Sequence, residues 1–141
     1  MHDVKELRYA TTMYWDRLER KHLSDAGVDV HANKKVIVPP FSSRIVPTGA
    51  FFDIPEGTML LAKPKGRHDF LIGAGVIDAG YQGEILIRVV NPYPRFIVFQ
   101  RGDAVAQLVL LPVLTPKLID VPYQELYETN SSRGSTGGIW G

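Results

Sequence analysis

The stretch Gly75-Val76-Ile77-Asp78-Ala79-Gly80-Tyr81-Gln82-Gly83-Glu84 places one carboxylate and one aromatic ring in a glycine-bracketed turn between two apolar, strand-like runs. A carboxylate presented this way can act as a general base, and a ring three residues on can bear against a bound ligand. The same residues can equally form an Asx-type turn that only closes a hairpin. Three more polar clusters interrupt the apolar pattern: Ser24 to Val30, Pro64-Lys65-Gly66-Arg67, and Gly102 to Gln107. A glycine-rich C-terminal stretch makes a further one. There is no cysteine, so thiolate nucleophiles and thiolate metal sites are excluded. His2, His22, His31 and His68 lack ligand spacing and read as surface residues. Asp29 and Asp103 lie in turn-like contexts and can be turn residues alone.

The elements that must hold these clusters read as strands. Val36 to Val38, Arg44 to Val46, Thr58 to Ala62, Ile85 to Val90, Phe96 to Phe99 and Ala104 to Leu111 are short β-branched or aromatic runs. Pro39-Pro40, Pro47-Thr48-Gly49, Pro55-Glu56-Gly57 and Arg101-Gly102-Asp103 punctuate them as turns. The pattern predicts an all-β barrel or sandwich and argues against a parallel α/β fold. Only Thr11 to His22, where Tyr14 and Leu18 are four apart among charges, reads as a short helix. Ile85 to Val90 and Ala104 to Leu111 are apolar at nearly every position, which implies burial on both faces. In so small a domain, a second subunit is the expected source of the second cover.

A chain of 141 residues suits one domain. Its formal net charge of +1 lacks the footprint that non-specific nucleic-acid or membrane-surface binding needs, so neither is an expected partner. No apolar run approaches a membrane span, and the N-terminus lacks the apolar centre of a signal peptide, which points to a cytoplasmic location. Residues 129–141 are too polar and glycine-rich for a core and are expected to be mobile unless a ligand orders them.

In order and wording the clusters resemble the motifs of the trimeric dUTPase (dUTP diphosphatase) family. Ala26-Gly27-Val28-Asp29-Val30 looks like the first motif, Gly75 to Glu84 like the third, and Gly102 to Leu108 like the fourth. Val46-Pro47-Thr48-Gly49 and Ile54-Pro55-Glu56-Gly57 are similar to the lead-in to the second. The resemblance implies an all-β, distorted jelly-roll-like barrel or sandwich assembled as a homotrimer, with active sites shared between subunits. Residues 1–128 would form the β domain, and residues 129–141 a flexible tail closing over the site.

The implied reaction is hydrolysis of dUTP to dUMP and pyrophosphate, with Asp78 activating a water that attacks the α-phosphorus. Tyr81 would press against the deoxyribose and exclude a 2′-hydroxyl, while Gly75 and Ile77 would present backbone groups to uracil. Lys65, Gly66, Arg67, Gln107, Arg133, Gly137 and Gly138 would hold the triphosphate, and Asp29 would support the site. The one cofactor implied is Mg²⁺, carried by phosphate and water with no protein ligand. Two motifs depart from the family pattern. Pro64-Lys65-Gly66-Arg67 lacks the usual serine, and Ile72 stands where many members carry an asparagine that reads uracil. In the last motif, Ile139 or Trp140 must replace a phenylalanine, and Trp140 is favoured because an indole stacks on a base. A dCTP deaminase shares the implied fold but needs a glutamate near Arg88, and an arginine cannot be that base. A dUTPase-like regulatory protein with weak activity is the remaining alternative.

Overall fold

The computed structural model describes residues 4–13, 16–65, 70–73 and 75–127. Among these residues the chain forms strands β1 (Arg8–Thr11), β2 (Gly27–His31), β3 (Val36–Val38), β4 (Ser43–Pro47), β5 (Ala50–Asp53), β6 (Thr58–Lys63), β7 (Leu71–Ile72), β8 (Gly75–Asp78), β9 (Leu86–Val90), β10 (Ile97–Phe99) and β11 (Ala104–Pro112). Each apolar run singled out in the sequence forms a strand, except that Ile85 and Phe96 immediately precede β9 and β10. All pairings are antiparallel. They join the strands as β2-β11-β6-β8, β4-β9-β7, β1-β5 and β3-β10. The fold is all-β and jelly-roll-like, as the sequence predicts.

Inward-facing residues of these sheets, among them Val30, Val38, Val46, Leu60, Ile85, Val89, Val105 and Leu108, make one core. Phe70 meets Phe99 edge-on, with ring centroids 5.0 Å apart. Such T-shaped pairs suit the ring quadrupoles.

One expectation is corrected. Thr11 to His22 does not form an amphipathic α-helix in its described part, where the helical element is a 3-10 turn in which Asp16 donates its N–H to the Met13 carbonyl at 3.0 Å. β1 runs through Thr11, and Leu18 donates its N–H to the Tyr9 hydroxyl, which donates in turn to the Leu18 carbonyl. Leu18 packs on the core from this extended path, so its apolar character reports a β-layer contact and not a helical face. Tyr14 and Trp15 lie outside the described residues. Within the chain β9 is buried on one face, and its other face is the one for which the sequence expects cover from a second subunit. Ile87 and Val89 point into the core, whereas Leu86, Arg88 and Val90 are exposed. A near-continuous buried run does occur in β11, where a register shift between Ala104 and Ala106 lets both Val105 and Ala106 turn inward.

Asn91 ties the loops at one end together. Fully buried, it donates through its amide to the carbonyls of Val38, Pro39 and Arg95 and accepts the Tyr93 N–H. Asn91→Ala would leave buried carbonyls and an amide unpaired. Urea unfolding should show a loss of about 2–4 kcal/mol, with no change in slope against denaturant.

Candidate active site

Strand β6 positions both groups of polar residues. On one side, β8 runs antiparallel to it with Asp78 opposite Met59 and Ile77 opposite Leu60. On the other, β11 pairs with Gln107 opposite Lys63, and Gln107 in turn lies opposite Asp29 of β2. Residues opposite one another in an antiparallel ladder share a face, so Asp78, Gln107 and Asp29 all belong to the outer face of this sheet.

The Asp78 turn differs from the hairpin expected. Tyr81 N–H donates to the Asp78 carbonyl at 3.0 Å, closing a tight turn. The strand that follows, β9, pairs with β4 and β7 and not with β8, so the turn begins a crossing between two sheets. Gln107 is likewise one strand removed from β8, with β6 between them. Asp78 is exposed at the mouth of a cleft of about 310 Å³ whose walls include Gly75, Ile77, Tyr81 and Glu84. That volume is at the lower end of small-molecule pockets. The Tyr81 hydroxyl donates to the Glu84 carbonyl at 2.6 Å and folds the ring over Gly83. A Cβ at Gly83 would stand 2.6 Å from that hydroxyl, so the close approach requires glycine.

A second cleft, of about 180 Å³, gathers Asp29, Lys65 and Gln107. Lys65 Nζ donates to Asp29 Oδ2 at 2.5 Å, and both side chains are about one-third exposed. Asp29 is therefore a strand residue engaged with a lysine, not a turn residue. An ammonium has three N–H donors, so this contact leaves donors for anionic oxygens. Gln107 lies directly over Gly27, where a Cβ would fall 2.5 Å from Gln107 Oε1 and 3.1 Å from the Leu108 carbonyl. Lys21, Glu19 and Asp25 also line this cleft. Asp25 belongs to the Ser24 to Val30 cluster of the sequence, whereas Glu19 and Lys21 fall in the Thr11 to His22 segment that reads as a short helix and were not legible as site residues. The carboxylate of Asp25 accepts the His22 N–H and holds the loop that brings Lys21 in.

Four residues of strand separate the two positions along β6, and two strand spacings separate them laterally. Asp78 and Gln107 of one chain are therefore roughly 16 Å apart at Cα. Asp103 is a turn residue, its carboxylate accepting the Gln100 N–H. Arg88 donates to Ser43 Oγ and lies on β9, where it offers no base. Ile72 on β7 packs against the core. Gly66, Arg67, His68, Arg133, Gly137, Gly138, Ile139 and Trp140 lie outside the described residues. Among the described residues no three His, Cys, Asp or Glu side chains converge as a metal site, and no helix is long and apolar enough to cross a membrane.

An all-β jelly-roll-like domain with a carboxylate turn beside one cleft and a Lys–Asp–Gln cluster in another defines a dUTPase-like class of nucleotide hydrolase. A family model for dUTPase matches residues 13–138, and the chain belongs to that family. It is 36% identical over 126 residues to the deoxyuridine 5′-triphosphate nucleotidohydrolase of Mycobacterium sp. (strain JLS), covering 84% of this chain and 82% of the relative. A relative of the same description from Candida glabrata is 34% identical over 118 residues, covering 79% and 78% of the two chains. Among solved structures, the Staphylococcus bacteriophage 80alpha dUTPase with dUPNHPP matches with a TM-score of 0.85 and 25% identity, over 98% of this chain and 99% of that one. A phage phi11 dUTPase variant, described as coordinating a structural Mg(II) ion, matches with a TM-score of 0.74 and 26% identity over 82% and 96% of the two chains.

Gly27→Ala should push Gln107 out of the second cleft. Calorimetry with a non-hydrolysable dUTP analogue is expected to show affinity reduced about tenfold, the scale of one lost charge-assisted contact.

Proposed function

We propose that this protein hydrolyses dUTP, bound as its Mg²⁺ complex, to dUMP and pyrophosphate. The observation that carries the reading is the Asp78 turn, which sets an exposed carboxylate at the mouth of a cleft walled by the Tyr81 ring. Relatives named deoxyuridine 5′-triphosphate nucleotidohydrolase and phage dUTPases holding a dUTP analogue support the choice of substrate.

In this mechanism uracil enters the first cleft against the backbone of Gly75 and Ile77, and Tyr81 lies along the deoxyribose, where a 2′-hydroxyl would collide with the ring. Asp78 accepts a proton from water as the water oxygen bonds to the α-phosphorus. The bond from that phosphorus to the bridging oxygen breaks, and pyrophosphate leaves with the electron pair. The Lys65 ammonium and the Gln107 side chain hold the phosphate oxygens, with Arg67, Gly66 and the 129–141 segment completing the enclosure through Arg133, Gly137 and Gly138. Trp140 is the ring proposed to stack on the base. Asp29 orients Lys65. Bound Mg²⁺ supplies charge neutralisation on the phosphates, and Lys65 and Gln107, being donors toward phosphate, suit a metal that arrives with the substrate. The setting proposed for this reaction is the cytoplasm.

One chain does not bring these parts together. Asp78 must reach water at the α-phosphorus, yet in one chain it lines one cleft while Gln107, roughly 16 Å away at Cα across β6, lines another. A homotrimer in which one subunit gives the Asp78 cleft and another the Lys65–Gln107 cluster removes the conflict. Two surfaces are suited to such contacts. The outer face of β4-β9-β7 exposes Ile45, Leu71, Leu86 and Val90, and the segment beyond β11 exposes Leu114, Leu118, Ile119 and Tyr123. Apolar patches of this extent mark interaction sites.

Product chromatography should find dUMP and pyrophosphate from dUTP, and no product from UTP. Asp78→Asn should keep analogue binding while turnover falls at least about a hundredfold. If neither wild-type nor variant turns over any nucleotide, the hydrolase reading fails. Refolding an equimolar mixture of inactive Asp78→Asn and Gln107→Ala chains should restore about a quarter of wild-type activity, the product of two half-probabilities at a shared site in a closed oligomer. Recovery of nothing would place each site within one chain.

A further inference from the structure

We propose that Glu84 is the positioning residue for the sugar-selecting wall of the cleft, a role that rests on the dUTP reading above. The segment from Ala79 to Ile85 crosses from the four-stranded to the three-stranded sheet without a strand ladder of its own. Something else must hold it. Ile85 supplies part of the attachment, donating its N–H to the Ala50 carbonyl at 2.8 Å and accepting the Thr48 hydroxyl at 2.6 Å. Thr48 and Ala50 are buried, so this turn is a fixed reference within the core.

Glu84 makes the connection from that reference to the cleft. Its carboxylate accepts the Gly49 N–H at 2.9 Å, and its main-chain carbonyl accepts the Tyr81 hydroxyl at 2.6 Å. One residue thus bonds the buried turn through its side chain and the aromatic wall through its backbone, while itself lining the cleft. A hydrogen bond to an ionised acceptor is shorter and stronger than a neutral one, which suits a part-buried anchor. Tyr81 has only a tight berth above Gly83, so its ring follows wherever the carbonyl of Glu84 goes. Without the carboxylate, the backbone of residues 83–84 can move away from Gly49, and the ring swings off the position where a 2′-hydroxyl would collide. A displacement of about 1 Å is enough to spoil such a fit.

The test is steady-state kinetics with dUTP and UTP on wild type, Glu84→Ala, Glu84→Gln and Tyr81→Phe, with thermal melting of each. Glu84→Ala is expected to raise KM for dUTP about tenfold and to narrow the dUTP-over-UTP ratio of kcat/KM by a similar factor, with kcat changed less than about threefold. Glu84→Gln keeps an acceptor for Gly49 and should recover most of the ratio. Tyr81→Phe keeps the ring but loses its tether, so it should narrow the ratio as well, and combining it with Glu84→Ala should add little further. A folded Glu84→Ala protein with an unchanged ratio overturns the inference, as does a fall in kcat alone. If Glu84→Ala does not fold, Tyr81→Phe decides, and an unchanged ratio there overturns it. A wild-type protein that turns over neither nucleotide overturns the dUTP reading and this inference together, whereas a discriminating wild type with an indifferent Glu84→Ala removes this inference alone.

Discussion

Strand β6 is the constraint on which the rest of the molecule depends. Its two ladders, to β8 and to β11, fix Asp78 near one end of the strand and Gln107 at the other. A one-residue slip in either ladder would turn the polar residue into the core and the neighbouring aliphatic residue out to water. The alternation of buried Thr58, Leu60 and Ala62 with outward Met59, Leu61 and Lys63 opposes such a slip. The hydrophobic effect acting on one face therefore fixes the geometry of chemistry on the other. The same rigidity keeps the two clusters apart, because a paired strand does not shorten.

Backbone ladders position Asp29, Gln107 and Asp78, but the cleft wall around Tyr81 is held differently. It hangs from a few discrete hydrogen bonds to the Pro47–Ala50 turn, most of them part-buried or buried. Each is individually modest, but leaving its buried donor or acceptor unpaired is costly, so the set acts together. This gives the wall a precision that a free loop would lack. The Asn91 cluster holds the β9–β10 connection against the β3–β4 loop in the same way, at a place with no assigned chemistry. Small β domains with short strands have few ladder bonds at their ends, and buried side-chain amides and carboxylates supply the missing order.

The apolar surface left over has a physical meaning. β9 alternates cleanly within the chain, yet Leu86, Val90, Ile45 and Leu71 are too apolar for a face intended for water. The sequence pattern of a strand buried twice and the structure of a strand buried once agree if a second copy covers the outside. The proposed oligomer would account for both facts together with the separation of Asp78 from Lys65 and Gln107.

The sequence by itself determined the all-β class, the six apolar strands, the carboxylate-and-tyrosine turn, and Asp29, Lys65 and Gln107 of the second cleft. Those properties reside in side-chain alternation and in Gly and Pro punctuation, which are local. Thr11 to His22 misled because two apolar residues four apart are too few to establish a helical face, and Leu18 instead meets the Tyr9 hydroxyl across a loop. With that helix went the chance to see Lys21 beside Lys65. Only the tertiary structure decided that the Asp78 turn joins two sheets, that Glu84 reaches Gly49, and that Asp78 and Gln107 of one chain stand apart. Such facts follow from which strands pair and in what register, and pairing is a cooperative outcome of burying one face of the whole chain, which no local pattern of residues contains.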